Sequence, residues 1–390
     1  MPVIYFDHGA TSWPKPAAVR EALDEYLLGE VGSPGRSGHR MSIRASQRVE
    51  ETRELLARLF NIADPVRIAF TQNATEALNL AIYGLLRPGD HVVTTSVEHN
   101  SVMRPLRHLS ENGVALTVVP CASDGTLVPE SIRQAVRDDT KLIVTTHGSN
   151  VVGSLLPVAK IGQIAREYGV PFLVDAAQTA GSVPIDVETL GIDLLAFTGH
   201  KALLGLTGTG GLYVREGIHL NPLIRGGTGS DSELESQPDF MPDKYESGTV
   251  NVAGLVGLGA AVRHVLRIGV ERIRAHEQAL AERFIRGCAD IPKVRLYGPR
   301  DSEQRGAVVA FNIDGLVPSE VGLLLEQHYG IYCRVGLHCA PGAHRTLGTL
   351  PAGTVRFSFG YSNTLADIDT ALAALKEIST WCREEGENHG

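Results

Sequence analysis

The chain has 390 residues, of which 43% are hydrophobic and 21% charged, with a formal net charge of −8 at pH 7. That length exceeds one ordinary core and points to two domains, and the composition is that of a globular protein rather than a disordered one. The basic residues are dispersed and no apolar run reaches the roughly 18 residues of a membrane span, so no nucleic-acid partner and no membrane segment are expected. The first residues lack the basic and apolar regions of a signal peptide, which makes a cytoplasmic location the expectation. Five cysteines, Cys121, Cys288, Cys333, Cys339 and Cys382, are odd in number and widely spaced. Neither a disulfide framework nor a C-x-x-C zinc site fits them.

Apolar, β-branched runs bounded by Gly, Pro or Asp predict strands over 66–71, 91–96, 115–120, 142–146, Phe172–Asp175 and Leu194–Thr198. Helical patterns over 75–86, 103–112, 130–137 and Val158–Tyr168 lie between them. This alternation predicts an α/β domain with a mainly parallel sheet covered on both faces, and ligands at the carboxyl ends of its strands. The loop 226–247 is long and polar, the mark of a functional or interfacial segment. From 252 to 290 the pattern is helical. Strands over Val294–Tyr297, 307–313, 331–334 and 355–358 then alternate with helices over 319–328 and 365–382, a smaller α+β domain. The expected divisions are a segment 1–15 packing with the small domain, a large domain 16–255 and a small domain 256–390.

The strongest chemical signal is Thr198-Gly199-His200-Lys201 after a strand, with Asp175-Ala176-Ala177-Gln178 at the end of the preceding strand. Only seven lysines occur among many arginines, and a guanidinium stays charged, so covalent amine chemistry has few places to be. A buried lysine loses its charge readily and becomes a nucleophile toward a carbonyl. A buried carboxylate beside it holds a protonated ring nitrogen, although a plain Lys–Asp ion pair fits the same spacing. Thr71-Gln72-Asn73-Ala74-Thr75-Glu76 joins a strand to a helix. Thr75 is the expected N-cap, and the amides there form an anion site. Neither G-x-G-x-x-G after a first strand nor a Walker motif occurs, which favours a phosphorylated cofactor over a dinucleotide. In Glu98-His99-Asn100-Ser101, His99 is placed to stack on an aromatic cofactor or to serve a structural role.

Arg334-Val335-Gly336-Leu337-His338-Cys339-Ala340-Pro341 sets a thiol in a Gly/Pro-punctuated loop between Arg334 and His338. Positive neighbours raise the thiolate fraction of a cysteine, making Cys339 the reactive candidate. Cys121, Cys288, Cys333 and Cys382 sit in strand or helix patterns and read as packing residues. Arg356, on an apolar strand, is either a carboxylate grip or an exposed edge charge.

Together these pieces resemble the class V aminotransferase family of pyridoxal 5'-phosphate enzymes with the type I fold. Within it they are most similar to the cysteine desulfurase and selenocysteine lyase branch. The resemblance runs from Tyr5-Phe6-Asp7-His8-Gly9-Ala10-Thr11 to Val355-Arg356-Phe357-Ser358. It implies that Lys201 holds the cofactor covalently, that Asp175 pairs with its ring nitrogen, that His99 stacks on the ring and that Gln178 bonds its phenolic oxygen. Ala74 (through its backbone), Thr75, Thr198 and His200 would hold the phosphate. Asn150 and Arg356, with Arg334 and His338, would bind substrate, and Cys339 would take up sulfur. Thr249 would reach the phosphate of a neighbouring subunit, which implies a homodimer. The implied substrates are L-cysteine or L-selenocysteine, with alanine left behind and a sulfur- or selenium-acceptor protein downstream. Leu337 departs from the two histidines usual before the cysteine in this branch, and Ala74 from the usual hydroxyl residue. Other class V reactions, transamination or a different β-elimination, leave Cys339 without a task; a non-catalytic scaffold leaves the whole polar set without one.

Overall fold

The computed structural model describes residues 3–381 except 30, 36, 37 and 232. It opens with β1 (Ile4–Tyr5), α1 (Ala17–Leu28) and α2 (Arg40–Phe60). There follow β2 (Ile68–Thr71), α3 (Ala74–Leu85), β3 (His91–Thr95), α4 (Asn100–Glu111), β4 (Ala115–Val119), α5 (Pro129–Ala135), β5 (Thr140–Thr146), α6 (Val158–Tyr168), β6 (Phe172–Asp175), β7 (Leu194–Thr198) and β8 (Gly210–Val214). The remainder comprises α7 (Val252–Ile268), α8 (Val270–Cys288), β9 (Val294–Tyr297), β10 (Val308–Ile313), α9 (Pro318–Tyr329), β11 (Ile331–Tyr332), β12 (Arg334–Gly336), α10 (Pro341–Leu347), β13 (Thr354–Ser358) and α11 (Leu365–Trp381). Cys382 lies outside the described residues.

Seven strands form one sheet in the order β2-β8-β7-β6-β5-β3-β4, in which β8 runs antiparallel to both of its neighbours and the rest are parallel. Side chains alternate between its faces, as the period of two requires. Ile143, Phe172, Val174 and Leu195 enter one core, with residues of α2, α6 and α7. Leu142, Val144, Leu173 and Leu194 enter the opposite one, under α3 and α4. Burial on both sides explains why these strands read as continuous apolar runs. The strand β8 has no such signature because it begins with two glycines. A Cβ on Gly211 would lie 2.5 Å from the Phe197 ring, and one on Gly210 would lie 2.8 Å from the Asn73 backbone. Close approach, not turn formation, fixes both.

The small domain is an antiparallel sheet in the order β12-β13-β10-β9. The segment expected as one strand over 331–334 is two: Ile331 and Tyr332 pair in parallel with β1, whereas Arg334–Gly336 pairs with β13. The chain's first strand therefore joins this domain, and Ile4 and Phe6 are buried in its core with Phe284, Phe311 and Phe357. The helix α7 buries Leu255, Val256, Leu258 and Val262 in the large core, whereas α8 contributes Leu280 and Phe284 to the small one. Gly269 separates these two helices, and with them the two cores. At the close of the long polar loop, Glu246 holds the buried Arg53 through two bonds of 2.7 and 3.1 Å. Among the described residues no single helix is long and apolar enough to cross a membrane.

Phe357 is fully buried, with ring centroids of Phe6, Phe284 and Phe311 at 5.0, 5.2 and 4.9 Å. Phe357→Ala is expected to destabilise the small domain by about 3–5 kcal/mol, the usual cost of a large buried aromatic. Urea unfolding followed by fluorescence checks it, and an unchanged midpoint would contradict this packing.

Candidate active site

Strands β2, β3, β5, β6 and β7 run in the same direction and end on one side of the sheet, and each leads to a polar residue there. After β2 the chain turns into α3. Its N-cap is Asn73, whose Oδ1 accepts from Glu76 N–H at 3.0 Å, and not Thr75 as the sequence suggested. Thr75 sits one residue inside the helix, where its hydroxyl meets that of Ser101 at 2.7 Å. Neither the Ala74 nor the Thr75 amide can have an intrahelical partner at this position, and both belong to the positive end of the helix. After β3, His99 caps α4: its Nδ1 accepts from Ser101 N–H at 3.1 Å. That bond leaves the proton of a neutral ring on Nε2.

Asp175 ends β6, nearly fully buried, and its Oδ1 accepts from Ala177 N–H at 2.9 Å. Burial raises its pKa, against the pull of that amide and of Lys201. The Gln178 amide donates to Gly9 O at 3.0 Å, reaching the N-terminal segment. Lys201 follows β7. Burial lowers its ammonium pKa to about 8, with the charges of Arg356 and Arg334 adding to the shift and Asp175 opposing it. His99 and His200 are both lowered to about 4, first by burial and then by Lys201. Both rings are therefore neutral near pH 7. Ala74, Thr75, His99, Asn150, Asp175, Gln178, Thr198, His200 and Lys201 all line one cavity of about 500 Å³.

None of these lining residues comes from the small domain, which meets the cavity wall at Asn150. Arg356 is not an edge charge: it lies on β13, between β12 and β10, and is fully buried. Its Nη2 donates to Asp7 Oδ1 at 2.7 Å and its Nη1 to Asn150 O at 3.0 Å, while Nε has no partner among the described residues. Gly9 permits this, since a Cβ there would stand 3.2 Å from the guanidinium. Asn150 also donates through Nδ2 to His338 O at 2.6 Å, joining the cavity to the cysteine loop. In that loop His338 and Cys339 take consecutive left-handed conformations, with φ of 48° and 58°. Such a pair costs on the order of 1–2 kcal/mol per residue. The turn is held by Ala340 N–H to Leu337 O at 2.9 Å and by Asn100 N–H to Cys339 O at 2.8 Å. The His338 ring is buried against Thr354, 3.1 Å from its hydroxyl, whereas Cys339 is exposed and receives Arg334 Nη2 at 3.7 Å from Sγ.

Thr249 does not reach this cavity; it lines a separate cleft with Glu246, Ser247 and Gly248. Cys121, Cys288 and Cys333 contrast with Cys339, since burial pushes their thiols up to about 11, 12 and 12. Two participants escaped the sequence reading. Ser101 follows His99 at capping spacing, which was a usable signal. Asp7 is the partner of Arg356 from 349 positions away, and no local pattern announces it.

The lowered Lys201 pKa sets a pH dependence for capture of an aldehyde. The amine is protonated below about pH 8 and free above it. The rate at which apoprotein takes pyridoxal 5'-phosphate into a borohydride-reducible bond is therefore expected to rise through pH 8 and level off above it. Peptide mapping of the reduced protein is expected to find the label on Lys201. A label on Lys160 or Lys244, or a rate still climbing toward pH 10.5, would contradict the assignment.

The model of the family described as "Aminotransferase class-V" matches residues 4–371. A probable cysteine desulfurase of Methanothermobacter thermautotrophicus is 37% identical over 382 residues, covering 96% of this chain and 94% of that protein. One from Pyrococcus abyssi is 38% identical over 388 residues, with the same coverage of each. Among solved structures, an apo cysteine desulfurase from Thermococcus onnurineus NA1 superposes with a TM-score of 0.92 at 36% identity, covering 97% of this chain and 95% of that one. The Escherichia coli cysteine desulfurase CsdA, in an S-sulfonic acid form, gives 0.87 at 29% identity, covering 97% and 94%. With this sheet, this pair of domains and this lysine, the chain belongs to the class V aminotransferase family, which has the type I fold and depends on pyridoxal 5'-phosphate.

Proposed function

We propose that this protein removes sulfur or selenium from L-cysteine or L-selenocysteine, leaves L-alanine, and carries the chalcogen as a persulfide-type adduct on Cys339. The names of its relatives support the desulfurase activity. The observation that carries the finer reading is Asn150, which lines the Lys201 cavity and also grips the backbone beside the exposed Cys339. A transaminase or a simple β-eliminating lyase has no use for that thiol.

The residues present fit pyridoxal 5'-phosphate. The amides at the start of α3, with Thr75 and the unpartnered Nδ1 of His200, suit its phosphate. Asp175 suits its ring nitrogen and the neutral His99 ring its face. When bound, the cofactor supplies an electron sink for the amino acid's α-carbon. Lys201 then takes and returns the α-proton. Arg356 holds the substrate carboxylate together with Asn150. The Cys339 thiolate attacks the substrate sulfur, forming an S–S bond. The electrons of the breaking carbon–sulfur bond stay with carbon, which takes a proton. The balance is one thiol and one cysteine in, one persulfide and one alanine out.

We also assign the protein to a homodimer in which Thr249 serves the neighbouring phosphate, because its own cleft is separate from the cavity; a fully active monomer by light scattering would end this. We also propose a cytoplasmic location, which cell fractionation tests.

Arg356→Ala removes a charge-assisted hydrogen bond to the substrate carboxylate, worth about 1.5–3 kcal/mol. The KM is expected to rise by roughly one to two decades with cofactor content unchanged. Loss of cofactor, or unchanged kinetics, would count against the role. Cys339→Ala is expected to nearly abolish alanine formation from L-cysteine and to spare more of it from L-selenocysteine, since a selenol leaves more readily. Leu337 puts an apolar group where a proton-handling histidine is usual, so the wild type is expected to favour selenocysteine and Leu337→His to shift the ratio toward cysteine. Brisk wild-type turnover of cysteine without an acceptor would refute that bias. Full cysteine activity in Cys339→Ala would refute the thiol mechanism.

A further inference from the structure

A groove of about 1170 Å³ lies beside the cysteine loop, between α4 and α10. Met103, Val118 and Pro341 contribute apolar surface to its lining. Arg104, Arg107 and Arg345 line it as exposed side chains, and none of them takes part in an ion pair among the described residues. Of the two acids on the groove, Glu111 is exposed. Glu98 is buried, bonded to Thr95 through Oε1 at 2.5 Å, and burial raises its pKa to about 8, so it offsets little of this charge. The groove adjoins the cysteine loop: Asn100 lines it and donates its N–H to Cys339 O, and Pro341, two positions beyond the thiol, lines it as well. Three cations without ion-pair partners among the described residues, set around these apolar side chains, concentrate positive charge locally on a chain of net charge −8.

We infer that this groove docks an acidic, cysteine-bearing protein segment that takes sulfur from Cys339. The inference rests on the persulfide reading above. The acceptor thiolate attacks the outer sulfur of the Cys339 persulfide, the S–S bond breaks, and Cys339 leaves as a thiolate. The acceptor becomes the persulfide, and no outside oxidant or reductant is needed. Nucleic acid would meet the same arginines but has no thiol to receive the sulfur.

The test uses cofactor-loaded enzyme, L-cysteine and two synthetic peptides. Each has one cysteine, flanked in one by Asp and Glu around an apolar residue and in the other by Asn and Gln. At low salt the acidic peptide is expected to accept sulfur about tenfold faster at limiting concentration, the low end of electrostatic steering. High salt, or the triple change Arg104→Glu, Arg107→Glu and Arg345→Glu, is expected to erase that advantage. The rate with dithiothreitol is expected to stay as in wild type, and three Arg→Gln changes serve if the reversed variant folds poorly. Equal rates for both peptides, while mass spectrometry shows the persulfide on Cys339, would overturn the docking site alone. Absence of that persulfide would overturn the underlying reading together with it. A single-stranded oligonucleotide that outcompetes the acidic peptide, or a charge-reversed variant with a changed oligomeric state, would assign the groove to another occupant and also overturn it.

Discussion

The buried guanidinium of Arg356 is the constraint around which the rest of the site is arranged. A charge this enclosed costs several kcal/mol unless it is paired and hydrogen-bonded. Its two partners come from different parts of the chain: the Asp7 carboxylate at 2.7 Å and the Asn150 carbonyl at 3.0 Å. Asp7 belongs to the N-terminal segment, Asn150 to the loop after β5, and Arg356 to the small domain. Satisfying one charge therefore locks three separate stretches of chain together. The same Asn150 secures the cysteine loop through His338 O, so the substrate grip and the sulfur carrier share one anchor. The Nε of Arg356, without a partner among the described residues, leaves a donor free for an incoming carboxylate.

Around that anchor, burial sets the protonation states. His99 and His200 are neutral, so neither adds positive charge near Lys201, and the Lys201 ammonium is brought from the ordinary lysine range to about 8. A neutral His99 with its proton on Nε2 suits stacking over a ring better than an imidazolium would. Buried cysteines are driven the other way, toward the inert thiol, while Cys339 is kept in water by a strained turn whose carbonyls are both gripped. Strain at that turn is affordable only because Asn100 and Asn150 over-determine it.

Much of this was legible in the sequence, for reasons that differ by element. Strands β3, β5, β6 and β7 are buried on both faces, so their β-branched runs stand out, and the polar residues at their carboxyl ends converge because parallel strands end on one side. The positions of Lys201 after a buried strand, of Asp175 at the end of another, and of Cys339 in an exposed loop, were readable from their immediate neighbours. Strand β8 was not, because its glycines answer to Phe197 and Asn73 across the sheet. The cap of α3 was misplaced by two positions, since Asn73 and Thr75 are both competent caps and only the backbone decides between them. The division between β11 and β12 depends on β1, more than three hundred residues away, and the Asp7–Arg356 pair has the same origin. Long-range partners leave no local pattern. The amphipathic helices α1 and α2 went unread, although they pack closely on α7 and cover one face of the large core.

The central claim is that the Lys201 cavity and Cys339 form one site across two domains. A single-turnover reaction with L-cysteine carrying radioactive sulfur tests it most directly. Enzyme in excess, quenched without any thiol acceptor and digested under non-reducing conditions, is expected to hold one equivalent of label on the peptide containing Cys339, with an equal amount of alanine in solution. Label released entirely as free sulfide, or found on Cys333, would contradict the account.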